Sequence, residues 1–278
     1  MSDFLYANDQ PGRYPASWYA QSIPEHPARP ALTDVISCDV CIIGAGFTGL
    51  SCALHLAQKG YHVIVLDAHR VGFGASGRNG GQVGSGYNQS QQTLEKTLGH
   101  DAAHQLWDMA QAAKSLTQDL AARHAPEAGY QPGVAEADFN AKDRASSHAK
   151  ADYLARHYAY EKIDCLNQTD IANLIKSPRY AGGLIDWGAG HLHPLRYALG
   201  LANAAETAGA RIFENSAAIS VQDGPPSLVQ TAKGQLRASY VVHATNGYHS
   251  SLNPRQAAKV MPINNFLVAT EPLDRPQE

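Results

Sequence analysis

Asp39-Val-Cys-Ile-Ile-Gly44-Ala-Gly46-Phe-Thr-Gly49-Leu50, answered downstream by His62-Val-Ile-Val-Leu66-Asp67, is the stretch that decides the fold of this chain. Between Asp39 and Gly44 the run Val40 to Ile43 is apolar without interruption, which fits a parallel strand buried on both faces. After the glycine turn, Leu50, Ala53, Leu54 and Ala57 recur at helical spacing. Gly60 ends that helix, and His62 to Leu66 reads as a second buried strand, completing a βαβ unit. Gly44 to Gly49 spells G-x-G-x-x-G in the context that gives it meaning: after a strand, opening a helix, with Asp67 placed 21 residues beyond Gly46. Gly44 permits a tight turn, Gly46 lets backbone N–H groups approach a pyrophosphate, and Gly49 allows helix and strand to pack closely. The helix N-terminus adds partial positive charge for a diphosphate, and a carboxylate at Asp67 suits ribose hydroxyls. NAD and FAD are both open on this motif, and the alternative is a glycine-rich turn that binds nothing.

A second cluster follows. Gly74-Ala-Ser-Gly-Arg-Asn-Gly-Gly-Gln82 holds four glycines in nine residues. Closely spaced backbone donors beside Ser76, Arg78 and Asn79 make a second cradle for an anion and a ring; a solvated flexible loop is the plain alternative.

Composition narrows the classes. The chain has 278 residues, with 22 Lys and Arg against 25 Asp and Glu and a formal charge of −3. No clustered basic excess marks a nucleic-acid surface. The 13 histidines are scattered, and no metal-ligating constellation stands out. Cys38-Asp-Val-Cys41 has redox or metal spacing, but Cys41 lies inside a strand-like run and no second pair follows, so a small buried hydrophobe is the better reading. The first residues lack the basic and apolar regions of a signal peptide, and no run of about 18 apolar residues occurs. A cytoplasmic location with reduced thiols is the expectation.

Residues 1–37 carry five of the 15 prolines and read as a leader strapped across a domain surface, with Trp18 and Tyr19 as anchors. Beyond the βαβ unit the pattern predicts a helix over 91–124, a strand around 130–139, a helix over 141–160 and a short helix from Asp170 capped by Thr169. It then predicts a strand over 181–186, a loop from Gly188 to Pro194 and a helix through Thr207. Strands at 211–213, 218–221, 228–231 and 240–243 follow, turning at Pro225-Pro226 and Lys233-Gly234.

In these motifs the chain resembles the FAD-dependent D-amino-acid-oxidase-like superfamily. The resemblance rests on Asp39 to Leu50, Val65-Leu-Asp-Ala68 and Val71-Gly-Phe-Gly-Ala-Ser-Gly-Arg-Asn-Gly-Gly-Gln82. It extends to Gly188-Ala-Gly-His-Leu-His-Pro-Leu-Arg-Tyr-Ala-Leu-Gly200, Val241-Val-His-Ala-Thr-Asn-Gly247 and Phe266-Leu-Val-Ala-Thr-Glu-Pro-Leu273. Within the superfamily the chain looks most like the γ-glutamylputrescine oxidoreductase branch. The resemblance implies an α/β fold: a Rossmann-like FAD-binding domain over 38–90 and 187–250, interleaved with an α+β substrate domain over 91–186 and 251–278. It also implies that the fold is incomplete at the C-terminus, because family members continue into a late glycine-rich, flavin-binding segment.

Carried over by position, the diphosphate and ribose residues are Gly44, Ala45, Gly46, Phe47, Thr48, Gly49, Asp67 and Ala68. Family members more often have Glu where this chain has Asp67. Gly74, Ala75, Ser76, Arg78, Asn79, Gly80, Gly81 and Gln82 would line the diphosphate and flavin ring. Ala218 would clasp adenine from a strand, and Ala244 and Thr245 would lie beside the diphosphate. No attachment residue is evident, so non-covalent FAD is expected. The implied reaction takes hydride from the carbon beside an amine to flavin N5, hydrolyses the imine to aldehyde and ammonia, and reoxidises the flavin with O2 or another acceptor. A γ-glutamylputrescine-like amine is the expected substrate. A glycine, sarcosine or D-amino-acid oxidase or dehydrogenase, or a non-catalytic dinucleotide-binding remnant, are the alternatives. No catalytic acid or base is assigned: His191 and His193 read as a surface or core pair, and Tyr87 and Tyr248 as pocket or packing aromatics.

Overall fold

A computed structural model of the chain describes residues 10, 12–248, 252–261, 263, 265, 267, 268, 270 and 271. These fall into two compact units, residues 1–80 with 193–278 and residues 81–192. The divisions at 80/81 and 192/193 lie ten residues before and six residues after the sequence boundaries at 90/91 and 186/187. The segment Phe266 to Leu273 lies partly outside the described residues.

The first unit opens with the leader. Ser17 caps a short helix, α1 (Trp18–Gln21), through the Ala20 N–H. Trp18 remains 56% exposed, and its ring and that of Tyr19 lie tilted and edge-on to the His193 ring at 5.4 and 5.0 Å. Deeper anchors hold the strap. The Tyr14 hydroxyl donates to the Val71 carbonyl at 2.7 Å, and Arg29 makes a two-pronged bond to the Glu206 carboxylate at 2.8 Å on each arm. The Arg29 backbone N–H donates to Glu214, which is wholly buried. Strand β1 (Val35–Ile43) follows and is buried over its second half. In helix α2 (Phe47–Gln58), Leu50, Ala53, Leu54 and Ala57 are all buried. Strand β2 (Val63–Leu66) is buried at every residue.

The second unit begins at β3 (Gln82–Val83). Where one helix is expected over 91–124 there are two, α3 (Gln91–Leu98) and α4 (His100–His124). Gly99 breaks them with φ +87°, a conformation only glycine adopts without strain. Next come β4 (Gln131–Asp138), α5 (Ala141–Tyr158), β5 (Ile163–Leu166) and α6 (Gln168–Ile175). Asn167, not Thr169, caps α6: its side chain takes the Thr169 and Asp170 N–H groups while Asp170 reaches back to its N–H. Strand β6 (Gly182–His191) runs through the residues expected to form a loop from Gly188. Its glycines signalled a break, yet they are what lets Tyr160 and Tyr130 lie against the strand: a Cβ at Gly188 would meet the Tyr160 hydroxyl at 2.1 Å. β6 pairs antiparallel with β3, β4 and β5.

The chain then returns to the first unit. The expected helix after the loop is α7 (Pro194–Thr207), capped by His193, whose Nδ1 accepts the Arg196 N–H at 3.2 Å. The remaining elements are β7 (Arg211–Phe213), β8 (Ser220–Gln222), β9 (Ser227–Gln230), β10 (Gln235–His243) and α8 (Pro254–Ala257). The six-stranded sheet runs β7-β2-β1-β10-β9-β8. β7, β2, β1 and β10 are parallel, and β8, β9 and β10 form an antiparallel meander. β10 starts five residues earlier than its apolar end suggested, because Leu236 and Ala238 alternate inward from exposed Arg237. α2 and α7 pack together. The carboxyl ends of β1, β2 and β10 therefore lie side by side, where an open α/β sheet binds ligands. Among the described residues, no helix is long and apolar enough to cross a membrane.

Candidate functional site

The site grows from the end of β1. The Gly44 N–H donates to the Leu66 carbonyl at 2.7 Å, tying the turn to β2. Gly44 has φ +110°, and a Cβ there would lie 2.5 Å from the Ala244 carbonyl oxygen. Only glycine fits. Gly49 is as constrained from the other side, since its Cβ would fall 1.9 Å from the Gly44 oxygen. The turn is thus clamped between β10's continuation and the first turn of α2.

Asp67 locks the turn from the end of β2. One carboxylate oxygen accepts the Ala45 N–H at 2.7 Å and the other the His69 N–H at 2.8 Å. Burial outweighs those two donors and pushes the Asp67 carboxyl up to about 6. Gly46, the helix N-cap, offers no side chain, and Ser76 from the second glycine cluster serves instead by accepting the Phe47 N–H at 3.0 Å. The Ala244 N–H donates to Ile43 at 2.8 Å, and the Tyr248 N–H closes a turn onto Thr245 at 2.9 Å.

Together these segments enclose a cleft of about 470 Å³, all of it in the first unit. Of the residues expected from sequence, Gly44, Ala45, Gly46, Asp67 and Ala68 line it, as do Gly74, Ala75, Ser76, Ala218, Ala244 and Thr245. Ala218 does so from an irregular segment two residues ahead of β8, not from a strand. Phe47, Thr48 and Gly49 do not line it; they form the first turn of α2 behind it. Arg78, Asn79 and Gly80 are also outside the lining. Arg78 lies over the Phe73 ring at 5.1 Å, and the Asn79 amide donates to the Ala75 and Ser76 carbonyls. Gly81 and Gln82 belong to the second unit, where Gly81 accepts the Leu192 N–H and Gln82 pairs with His191.

Tyr248 lines the cleft, whereas Tyr87 lines smaller cavities of the second unit. His193 is a helix cap and His191 an exposed strand end. Sequence reasoning missed His69 and Phe73, whose rings stack at 4.0 Å, and Ala217, Asn246 and Leu252. Phe73 and Asn246 lie within the Val71–Gln82 and Val241–Gly247 motifs and His69 two residues beyond the ribose-type acid, whereas Leu252 lies in no motif. Chemically the cleft joins a helix N-terminus, which attracts anions, to a carboxylate able to accept from hydroxyls.

The family described as DAO, FAD dependent oxidoreductase, matches residues 39–278. The chain is 38% identical over 259 residues to γ-glutamylputrescine oxidoreductase of Escherichia coli strain K12, covering 93% of this chain and 61% of that protein. Among solved structures, glycine oxidase from Geobacillus kaustophilus superposes with a TM-score of 0.61 at 23% identity, over 80% of this chain and 59% of that one. L-α-glycerophosphate oxidase from Mycoplasma pneumoniae with FAD bound gives 0.60 at 19% identity, over 76% and 55%. Those two likenesses concern the fold. The chain spans about three fifths of the length of the curated relatives it matches.

Proposed function

The chain belongs to the DAO family of FAD-dependent oxidoreductases, and from that premise we propose that its cleft holds FAD non-covalently and that the whole protein oxidises a C–N bond of an amine, γ-glutamylputrescine or a close analogue. The observation that carries the reading is the Asp67 carboxylate bonded to the Ala45 N–H, in a turn too tight for any side chain at Gly44. That cradle fits a dinucleotide: bare backbone and a helix N-terminus for the diphosphate, and an acid one strand away for ribose.

In this reading Asp67 accepts from the ribose hydroxyls, and the Gly44 to Gly49 turn holds the diphosphate with Ala244 and Thr245 beside it. Ala218 meets adenine through its backbone, and Gly74, Ala75 and Ser76 flank the diphosphate. The first unit is then the cofactor domain and the second the substrate domain. FAD held there by the Gly44 to Gly49 turn and Asp67 would supply a two-electron acceptor for the substrate carbon. The protein's share is to orient cofactor and amine and exclude water. Four free thiols, at Cys38, Cys41, Cys52 and Cys165, go with a reducing, cytoplasmic setting.

The test is anaerobic bleaching of the FAD-loaded chain by γ-glutamylputrescine, putrescine, glycine, sarcosine and D-alanine. Fastest bleaching by γ-glutamylputrescine supports the reading. Bleaching by glycine, sarcosine or D-alanine instead moves the chain to an amino-acid oxidase, and no bleaching by any amine leaves a dinucleotide-binding remnant.

A further inference from the structure

The second unit contains a cavity of about 210 Å³ whose walls carry both signs of charge. One wall is a sheet face. Val134 on β4 lies opposite Asp186 on β6, Glu136 lies opposite Leu184, and Ile163 on β5 also faces Asp186. Directly paired residues share a face, and so do residues two apart on a strand. These five side chains therefore form one surface. The opposing wall comes from α5, where Lys150 and Leu154 are four residues apart on one helix face. Gly84 to Tyr87 close the remaining side.

The polar groups on these walls are only partly used. Asp186 Oδ1 accepts three donors: the Tyr160 hydroxyl at 2.6 Å and the Gly188 and Ala189 N–H groups at 2.9 and 3.2 Å. None of the three engages Oδ2. Lys150 and Glu136 stand 3.9 Å apart with side chains 48% and 57% exposed, a loose pair that a ligand separates at little cost. Behind Ser85, Lys114 is only 7% exposed, and its ammonium donates to the Ser85 and Tyr160 hydroxyls at 2.8 and 3.1 Å. A second positive charge thus backs the Ser85 side of the cavity. The floor between the charges is apolar, made by Val134, Leu154, Ile163 and Leu184.

We propose that this cavity binds an α-amino-acid head group, with the ammonium held by Asp186 and Glu136 and the carboxylate by Lys150. A plain amine held by both carboxylates draws Glu136 away from Lys150 and puts nothing in its place, and a plain carboxylate meets two carboxylates. A zwitterion satisfies both signs, and its methylenes cover the apolar floor. The cavity is smaller than the roughly 300–1,000 Å³ typical of drug-sized ligands, a size that suits an amino acid.

The test is isothermal titration of the full chain, without added FAD, with γ-glutamylethylamide. That probe has the head group but no oxidisable terminal amine, so the outcome is independent of what the cleft holds. Saturable binding is expected. It weakens tenfold or more for N-ethyl-4-aminobutanamide, which lacks the α-carboxylate, and for glutaric acid monoethylamide, which lacks the α-amine. Lys150→Gln erases the difference between the parent probe and the first analogue, and Glu136→Gln weakens the parent but not the second. Both residues are exposed, so neither change threatens the fold. No saturable binding at about 10 mM, equal binding of all three compounds, or parent binding unchanged in both variants overturns the proposal.

Discussion

Replacing Gly49 by alanine sets two effects of opposite sign against each other. Alanine is favoured over glycine inside a helix by about 1 kcal/mol. Against that, the new Cβ would lie 1.9 Å from the Gly44 oxygen and 3.3 Å from Ile42 Cγ2. To restore ordinary contact, α2 must retreat from β1 by roughly 1.5 Å, within an interior that is packed like a crystal. Overpacking of this kind costs about 1–3 kcal/mol. Displacing the Gly44 carbonyl also moves Ala45, whose N–H donates to Asp67 at 2.7 Å, and a hydrogen bond to a charged group is worth about 1.5–3 kcal/mol. The clash wins, for a net loss of about 2 kcal/mol. Urea unfolding of Gly49→Ala reads the stability, and flavin fluorescence during titration with FAD reads the cleft. The expected result is an earlier unfolding midpoint with FAD affinity at least tenfold weaker. A variant as stable as the parent, or more stable by the helix preference alone, would refute the close packing of α2 on the glycine turn.

Three further outcomes follow from buried carboxylates. Burial raises the Asp67 carboxyl from its ordinary 3.8 to about 6, so between roughly pH 4 and 6 the folded chain holds a proton that the unfolded chain has released, and stability without cofactor falls as pH rises through that window. Hydroxyl donors favour the ionised form, so FAD affinity should climb with pH to about 6 and level off above it; affinity that is flat or falling from pH 5 to 7 contradicts this. Glu214 is wholly buried, accepts the Val71 and Arg29 N–H groups and pairs with Arg29 and Arg70, so Glu214→Gln should cost about 3 kcal/mol in urea unfolding, and a loss below about 1 kcal/mol would be evidence against the strap it anchors.

What could be read from the residues was what local physics dictates. Val63 to Leu66 and the spacing of Leu50, Ala53, Leu54 and Ala57 announce β2 and α2 because burial alone explains them. Gly188 and Gly190 misled because glycine weakens a strand locally, while in β6 their missing side chains make room for Tyr160 and Tyr130. β5 gave no signal: Ile163-Asp-Cys-Leu166 is a strand by virtue of its pairing with β6. The cleft was legible where motif residues carry backbone demands, at Gly44, Gly46, Asp67 and Ala244. It was illegible at Leu252, which lines it because of where the chain runs after β10. The leader's conspicuous aromatics, Trp18 and Tyr19, proved lesser anchors than Arg29 and Tyr14, whose partners lie 57 or more residues away in sequence.

The central claim is that Asp67 and the glycine turn form the FAD site, and titrating the chain and its Asp67→Ala variant with FAD, followed by quenching of flavin fluorescence, tests it most directly. Saturable binding by the parent chain and at least a tenfold loss in the variant are expected, with the variant still folded by circular dichroism. A parent chain that leaves FAD fluorescence untouched, or a variant that binds FAD as tightly as the parent, would contradict it.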